Sequence, residues 1–328
     1  MKAVLVAASL FLAAAPDPTV LQARYDAARD AEERALARGD RAGAGRAQRD
    51  VLAVERHDGR PASWRGGRMV PAFFPAPGAR AERTRDEELS AKLSAVGESY
   101  RGWAAFWVHD LRTGAWAGWN ADARFPAAST VKLGVLAAAL QRGHGPASPL
   151  WYDLRQLTGW SSNLAANRVT RYVGGERAVE AALRRLGARA STYPGPYRAG
   201  TASAIDAPKP PPQTHTRVTT AHDLGRVLYT FQAAARGNRY VQRATGLPQL
   251  QARRALALLV HSVHGGLIEP FTAAPVAHKE GSISDLRATA AIVYGRTPRI
   301  VVVLAYRPAI TDAETKALGR RVAALTLG

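Results

Sequence analysis

GWAAFWVHDLRTGAWAGWN, residues 102–120, reads as two strands joined by a turn at "DLRTG". Tryptophan, phenylalanine and valine suit a pleated surface, and Asp110 and Gly114 are the residue types a tight reversal needs. Upstream, "EELSAKLSAVGESY" (87–100) has the spacing of a short amphipathic helix. Downstream, a mostly helical stretch runs from Ser129 to about Ala257. Strands return in "PVAHKEGSI" (275–283), "ATAAIVYG" (288–295) and "RIVVVLAY" (299–306). The chain closes on a helix opened by Thr311 and Glu314, spaced as a capping box. Two strands, a helical insertion, three strands and a last helix predict an α+β fold. Its antiparallel sheet is flanked by the N- and C-terminal helices, and an all-helical lobe is inserted between the strands.

The remainder of the 328 residues divides by composition. Residues 1–15 carry one lysine and then a thirteen-residue apolar run ending Ala13-Ala14-Ala15. That pattern reads as a signal peptide and is too short for an ordinary transmembrane helix, so the protein is expected to be exported. Membrane contact is expected only through an uncleaved N-terminal segment. Residues 16–85 read as a charged helical region followed by a Pro/Gly-rich linker, and residues 86–328 as the main domain.

The formal charge is +19, from 45 basic and 26 acidic residues, but only six of the basic residues are lysines. Arginines scattered among alanines, with no RNP motif, zinc-finger spacing or dense basic run, argue against nucleic-acid binding. The absence of cysteine removes disulfides, thiol nucleophiles and thiolate metal sites. His261 and His264 lack a third ligand motif, so neither a metal nor another cofactor is expected. A monomer is expected.

Three stretches carry chemistry. In "FPAASTVKLGVLAAAL" (125–140), Ser129 and Lys132 are three positions apart at the expected start of an apolar helix, and so share a face. A serine hydroxyl needs a base to become a nucleophile, and a lysine amine can serve where arginine cannot. "SSN" (161–163) opens another helix and supplies a second hydroxyl and a carboxamide. "HKEGS" (278–282) puts a second cation on a strand, next to a glycine that lets a substrate backbone approach. Each stretch also has a plain reading, with Ser129 and Ser161 as helix caps and Lys279 as a sheet-edge charge.

In order and setting, the three resemble the S-x-x-K, S-D-N and K-T-G motifs of class A β-lactamases and penicillin-binding proteins, a likeness running from about Glu88 to Gly328. The resemblance implies a serine hydrolase in which Ser129 is acylated by a β-lactam or related amide and Lys132 is its base. Ser161 would pass a proton to the leaving nitrogen, and Asn163 would hold the substrate or Lys132. Lys279 would attract a substrate carboxylate, Gly281 would let the substrate approach, and the amides of Ser129 and Ser282 would form the oxyanion hole. The implied partner is a β-lactam or a peptidoglycan-derived small molecule. Two alternatives stand beside this: a penicillin-binding D-Ala-D-Ala peptidase or acyl-forming receptor, and a non-catalytic cell-wall-binding module.

The sequence also departs from the family pattern. Ser162 stands where the family has aspartate, and Glu280 where it has a hydroxyl-bearing threonine. Only 32 positions separate Ser129 from Ser161, so part of the lobe is trimmed. The loop "YPGPYRAGTASAIDAPKPPPQTHTRVTT" (193–220) lies where class A enzymes carry the glutamate that activates the deacylating water. No glutamate occurs between Glu180 and Glu269, and Asp206 is the only carboxylate inside the loop. Slow deacylation is therefore expected. Arg287 reads either as an added carboxylate contact or as a surface ion pair.

Overall fold

The structure is a computed structural model that describes residues 18–57, 79–197, 217–260, 262 and 266–327. Residues 1–15 and most of the Pro/Gly-rich linker lie outside the described residues. The chain divides into two compact units between Pro61 and Ala62. The first is a pair of packed helices, α1 (Pro18–Ala37) and α2 (Arg41–His57). Ala28, Ala35, Ala44, Ala47 and Val54 are buried, and the Asp40 carboxylate accepts the Gly43 amide at 2.8 Å at the start of α2.

The second unit opens earlier than position 86. Arg80 and Arg83 already donate backbone hydrogen bonds to Leu111 and Gly114, ahead of helix α3 (Glu87–Glu98), which Asp86 caps. Strands β1 (Trp103–Asp110) and β2 (Trp116–Trp119) form the hairpin expected from 102–120. Its turn is held by the Asp110 carboxylate, which accepts the amides of Arg112 and Thr113 at 2.8 Å. The two-residue strand β3 (Phe125–Pro126) leads into the lobe of α4 (Lys132–Gln141), α5 (Trp151–Gly159), α6 (Asn163–Tyr172) and α7 (Glu176–Arg185). After β4 (Val218–Thr219) come α8 (Ala221–Ala235), α9 (Arg239–Thr245) and α10 (Gln249–Val260). Then β5 (Val276–Ile283), β6 (Leu286–Val293) and β7 (Arg299–Tyr306) precede α11 (Asp312–Thr326), whose capping box between Thr311 and Glu314 is formed.

The main sheet runs β2-β1-β7-β6-β5, antiparallel throughout. One face buries Phe106, Val108, Val301 and Val303 against Leu93 and Val96 of α3 and Leu318 and Val322 of α11. The other packs on α8 and α10. Cover on both faces explains why β1 and β7 are buried almost continuously rather than in alternation. Helix α8 comes close to the sheet because Gly225 has no side chain: a Cβ there would lie 2.1 Å from the Trp107 ring. Helix α4 is buried on all sides, as its apolar sequence requires. Its flanking pair β3–β4 was not visible in the sequence, because two-residue strands carry no periodicity.

Candidate active site

The residues before α4 close tight turns instead of extending the helix. Thr130 donates to the Ala127 carbonyl at 3.0 Å and Lys132 to the Ser129 carbonyl at 3.2 Å, both three-residue spans. Ser129 therefore lies in a turn, and the helix expected from Ser129 starts at Lys132. Ala128 has φ 43°, a left-handed conformation that costs a non-glycine residue about 1–3 kcal/mol. The Tyr197 hydroxyl braces it by donating to the Ala128 carbonyl at 3.0 Å.

Ser161 is a second non-glycine residue in that region, with φ 57°. The cap of α6 is its neighbour: the Ser162 hydroxyl accepts the Ala165 amide at 3.1 Å. This frees the Ser161 side chain for other work. Its Oγ accepts from Lys279 Nζ at 2.8 Å and lies 3.4 Å from Lys132 Nζ. Lys132 is 1% exposed; its Nζ also donates to the Ser161 carbonyl and, at 2.7 Å, to Asn163 Oδ1. Two buried lysine Nζ atoms thus converge on one hydroxyl oxygen. With its lone pairs engaged, that hydroxyl has its proton left to donate.

Lys279 is not a sheet-edge surface charge, for it too is only 1% exposed. It is bound to Glu280 at 2.7 Å. Burial pushes the Glu280 carboxyl up, but the Lys279 ammonium, aided by His278, overrides this and holds it down at about 2. Two residues along β5, a Cβ on Gly281 would lie 3.1 Å from the amides of Ser129 and Thr130. Glycine is what allows β5 to approach the Ser129–Thr130 turn.

Ser129, Ser161, Glu280, Gly281 and exposed Ser282 line one cleft of about 620 Å³, which extends to Arg287 on β6 and to Asp312, Lys316 and Arg320 of α11. Arg287 is engaged there, donating to Asp312 at 2.8 Å. The sequence candidates therefore gather at one place, with Lys132 and Lys279 buried behind the serines. Asp206, His261 and His264 lie outside the described residues. Among the described residues no group of three or more metal-ligating side chains occurs.

Tyr197 and Asn167 escaped the sequence reading. The Tyr197 ring faces Lys132 Nζ at 4.6 Å and stacks on the Arg217 guanidinium at 4.0 Å. Asn167 fixes the Tyr197 backbone on both sides, accepting its amide at 2.7 Å and donating to its carbonyl at 3.1 Å. Burial pushes the phenol well above its ordinary pKa, so it stays a neutral donor. An aromatic in a Pro-rich stretch gives no local sign of such a role.

The fold is that of solved β-lactamase-like proteins. PBP-A superposes with a TM-score of 0.59 at 17% identity, over 75% of this chain and 98% of its own. A β-lactamase from Xanthomonas campestris gives 0.58 at 19%, over 73% and 96%. A variant of the class A β-lactamase of the last common ancestor of Gram-negative bacteria gives 0.58 at 21%, over 73% and 96%. No curated protein sequence matches significantly. The sequence model of the Beta-lactamase enzyme family (Beta-lactamase2) matches residues 88–145 and 145–327, most of the chain; the protein belongs to that family.

Proposed function

We propose that this is an exported serine hydrolase of the β-lactamase type, acylated at Ser129 by a β-lactam or related amide and slow to release the acyl group. The observation that carries the reading is the Ser161 hydroxyl held between Lys279 and Lys132, on the cleft that Ser129 lines. In the acylation step Ser129 Oγ bonds to the carbonyl carbon and gives its proton to the neutral amine of Lys132. The C–N bond breaks as Ser161 donates its proton to the leaving nitrogen, and Lys132 returns a proton to Ser161. The amides of Ser129 and Ser282 stabilise the transient oxyanion.

Deacylation needs a base for water, and general-base help is worth about a hundred- to ten-thousand-fold. The two carboxylates lining the cleft, Glu280 and Asp312, are bound to Lys279 and Arg287. Tyr197 occupies the face of Lys132. The same features favour a second reading, a penicillin-binding peptidase or acyl-forming receptor that holds its adduct. One fold neighbour is a PBP-A mutant described as an acyl-enzyme complex with penicillin G. Export rests on the N-terminal lysine and apolar run.

Intact-mass analysis after mixing with benzylpenicillin tests the reading. A persistent adduct on Ser129 is expected, absent in Ser129→Ala and in Lys132→Arg, which keeps the charge but cannot accept the proton. An adduct mapped to Ser161 or Ser282 overturns the assignment. Rapid multiple turnover overturns slow deacylation.

A further inference from the structure

Among the charged side chains of the cleft that take no part in these proton transfers, Glu280 lies nearest in sequence to Lys279. Glu280 follows Lys279 on β5 and faces the same space as Ser129 and Ser161. Its Oε1 accepts from Lys279 Nζ at 2.7 Å and its Oε2 from Ser262 Oγ at 3.2 Å. The Lys279 ammonium also donates to Ser161 Oγ at 2.8 Å and to the Glu280 carbonyl at 2.9 Å. An ammonium has three N–H bonds, so all three are directed within the protein.

A lysine that anchors an incoming carboxylate needs an available donor and an uncompensated charge. Lys279 has neither. Its charge is balanced by a carboxylate whose side chain is only 13% exposed, and screening by solvent there is weak. Across the ladder Glu280 pairs with Thr289, an uncharged residue whose hydroxyl accepts the Leu267 amide at 2.7 Å. Of the other cations lining the cleft, Arg287 pairs with Ser282, two residues beyond Glu280, and is bound to Asp312 and the Ile283 carbonyl, whereas Lys316 and Arg320 belong to α11. An anionic group seated beside Lys279 would face the Glu280 carboxylate at close range. A neutral amide would meet no like charge, and its N–H could use a spare lone pair on Glu280.

We propose that Glu280 sets substrate choice: the cleft takes acyl donors whose group beside Lys279 is an uncharged amide or ester, and selects against donors carrying a carboxylate there. The inference rests on the acyl-serine reading of Ser129. In this role Glu280 is a specificity residue. It neutralises Lys279 while leaving that ammonium bonded to Ser161, so the proton path is kept.

The test uses the full chain and intact-mass time courses with benzylpenicillin, which carries the carboxylate, and with its primary amide. The quantity read is the ratio of the two acylation rates, amide over carboxylate, in the unmodified protein, Glu280→Thr, Glu280→Gln and Glu280→Asp. Comparing ratios between proteins cancels the intrinsic reactivity of the two compounds. The ratio is expected to fall by at least about tenfold in Glu280→Thr and Glu280→Gln, and to persist in Glu280→Asp. Glu280→Gln is nearly isosteric and carries the comparison if the threonine variant fails to fold. Equal ratios in all the proteins, with adducts on Ser129, overturn the role of Glu280 and leave the acyl-serine reading standing. No Ser129 adduct from either compound in any protein overturns that reading and this inference with it.

Discussion

Tyr197 faces the lysine that the proposed acylation uses as its base, and its own side chain cannot replace a carboxylate. Its ring lies 4.6 Å from Lys132 Nζ, and its hydroxyl is committed to Ala128. The backbone is clamped by Asn167, so a shorter or charged side chain at this position would inherit a defined direction toward the lysine. Tyr197→Glu is therefore expected to speed deacylation by about a hundredfold or more, because it places a carboxylate base where the phenol supplies none. The decay of the benzylpenicillin adduct, followed by mass, checks this. Acylation and decay rates both unchanged would show that water reaches the ester from elsewhere.

Residues 79–86 lie against the β1–β2 hairpin by backbone bonds from Arg80, Arg83 and Asp86, and by one from Trp116 to the Thr84 carbonyl. The first turn of α8 closes this arrangement through His222. Its ring meets Asp122 at 2.9 Å and Glu82 at 3.2 Å, and it stacks on Trp107 and Trp116. Burial pulls the His222 pKa down, but the bonds to Glu82 and Asp122 override it and raise it, against opposition from Arg226. Burial pushes Glu82 up, and its bond to His222 overrides that and lowers it. A raised histidine stabilises fully below its unfolded value of about 6.5, and this is lost as pH rises through the folded value. A lowered Glu82 stabilises above its unfolded value of about 4.3, and this is lost as pH falls through the folded value. The stabilisation that His222 contributes is thus expected to fade as pH rises above about 6.5, so the melting-temperature difference between the unmodified protein and His222→Gln shrinks there. A difference that does not change with pH would exclude the clasp.

On the scale of the molecule, the candidate site is confined to the second unit. The proposed proton path joins three segments far apart in the chain: Lys132 reaches Ser161 across 29 positions and Lys279 reaches it across 118. The sheet and the lobe must both be in place before the hydroxyl finds its two lysines. The α1–α2 pair supplies none of these groups. Deleting residues 18–57 is expected to leave the rate of Ser129 labelling unchanged, with circular dichroism reporting that the second unit remains folded. Loss of labelling from a folded truncated chain would assign the first unit a part in the activity.

The gathering of Ser129, Ser161 and Lys279 was implied only by the family resemblance; the order of elements along the chain, the hairpin turn at Asp110 and the capping box at Thr311 were legible in the sequence itself. Those features depend on residue type and short spacing, which backbone geometry converts directly into local structure. The tertiary structure alone decided that Ser162, not Ser161, caps α6, that Ser129 sits in a turn ahead of its helix, and that Lys279 is buried against Glu280. It alone brought Tyr197 to Lys132 and paired β3 with β4. These are contacts between segments with no shared periodicity. They follow from where packed elements place a side chain, and no local pattern encodes that.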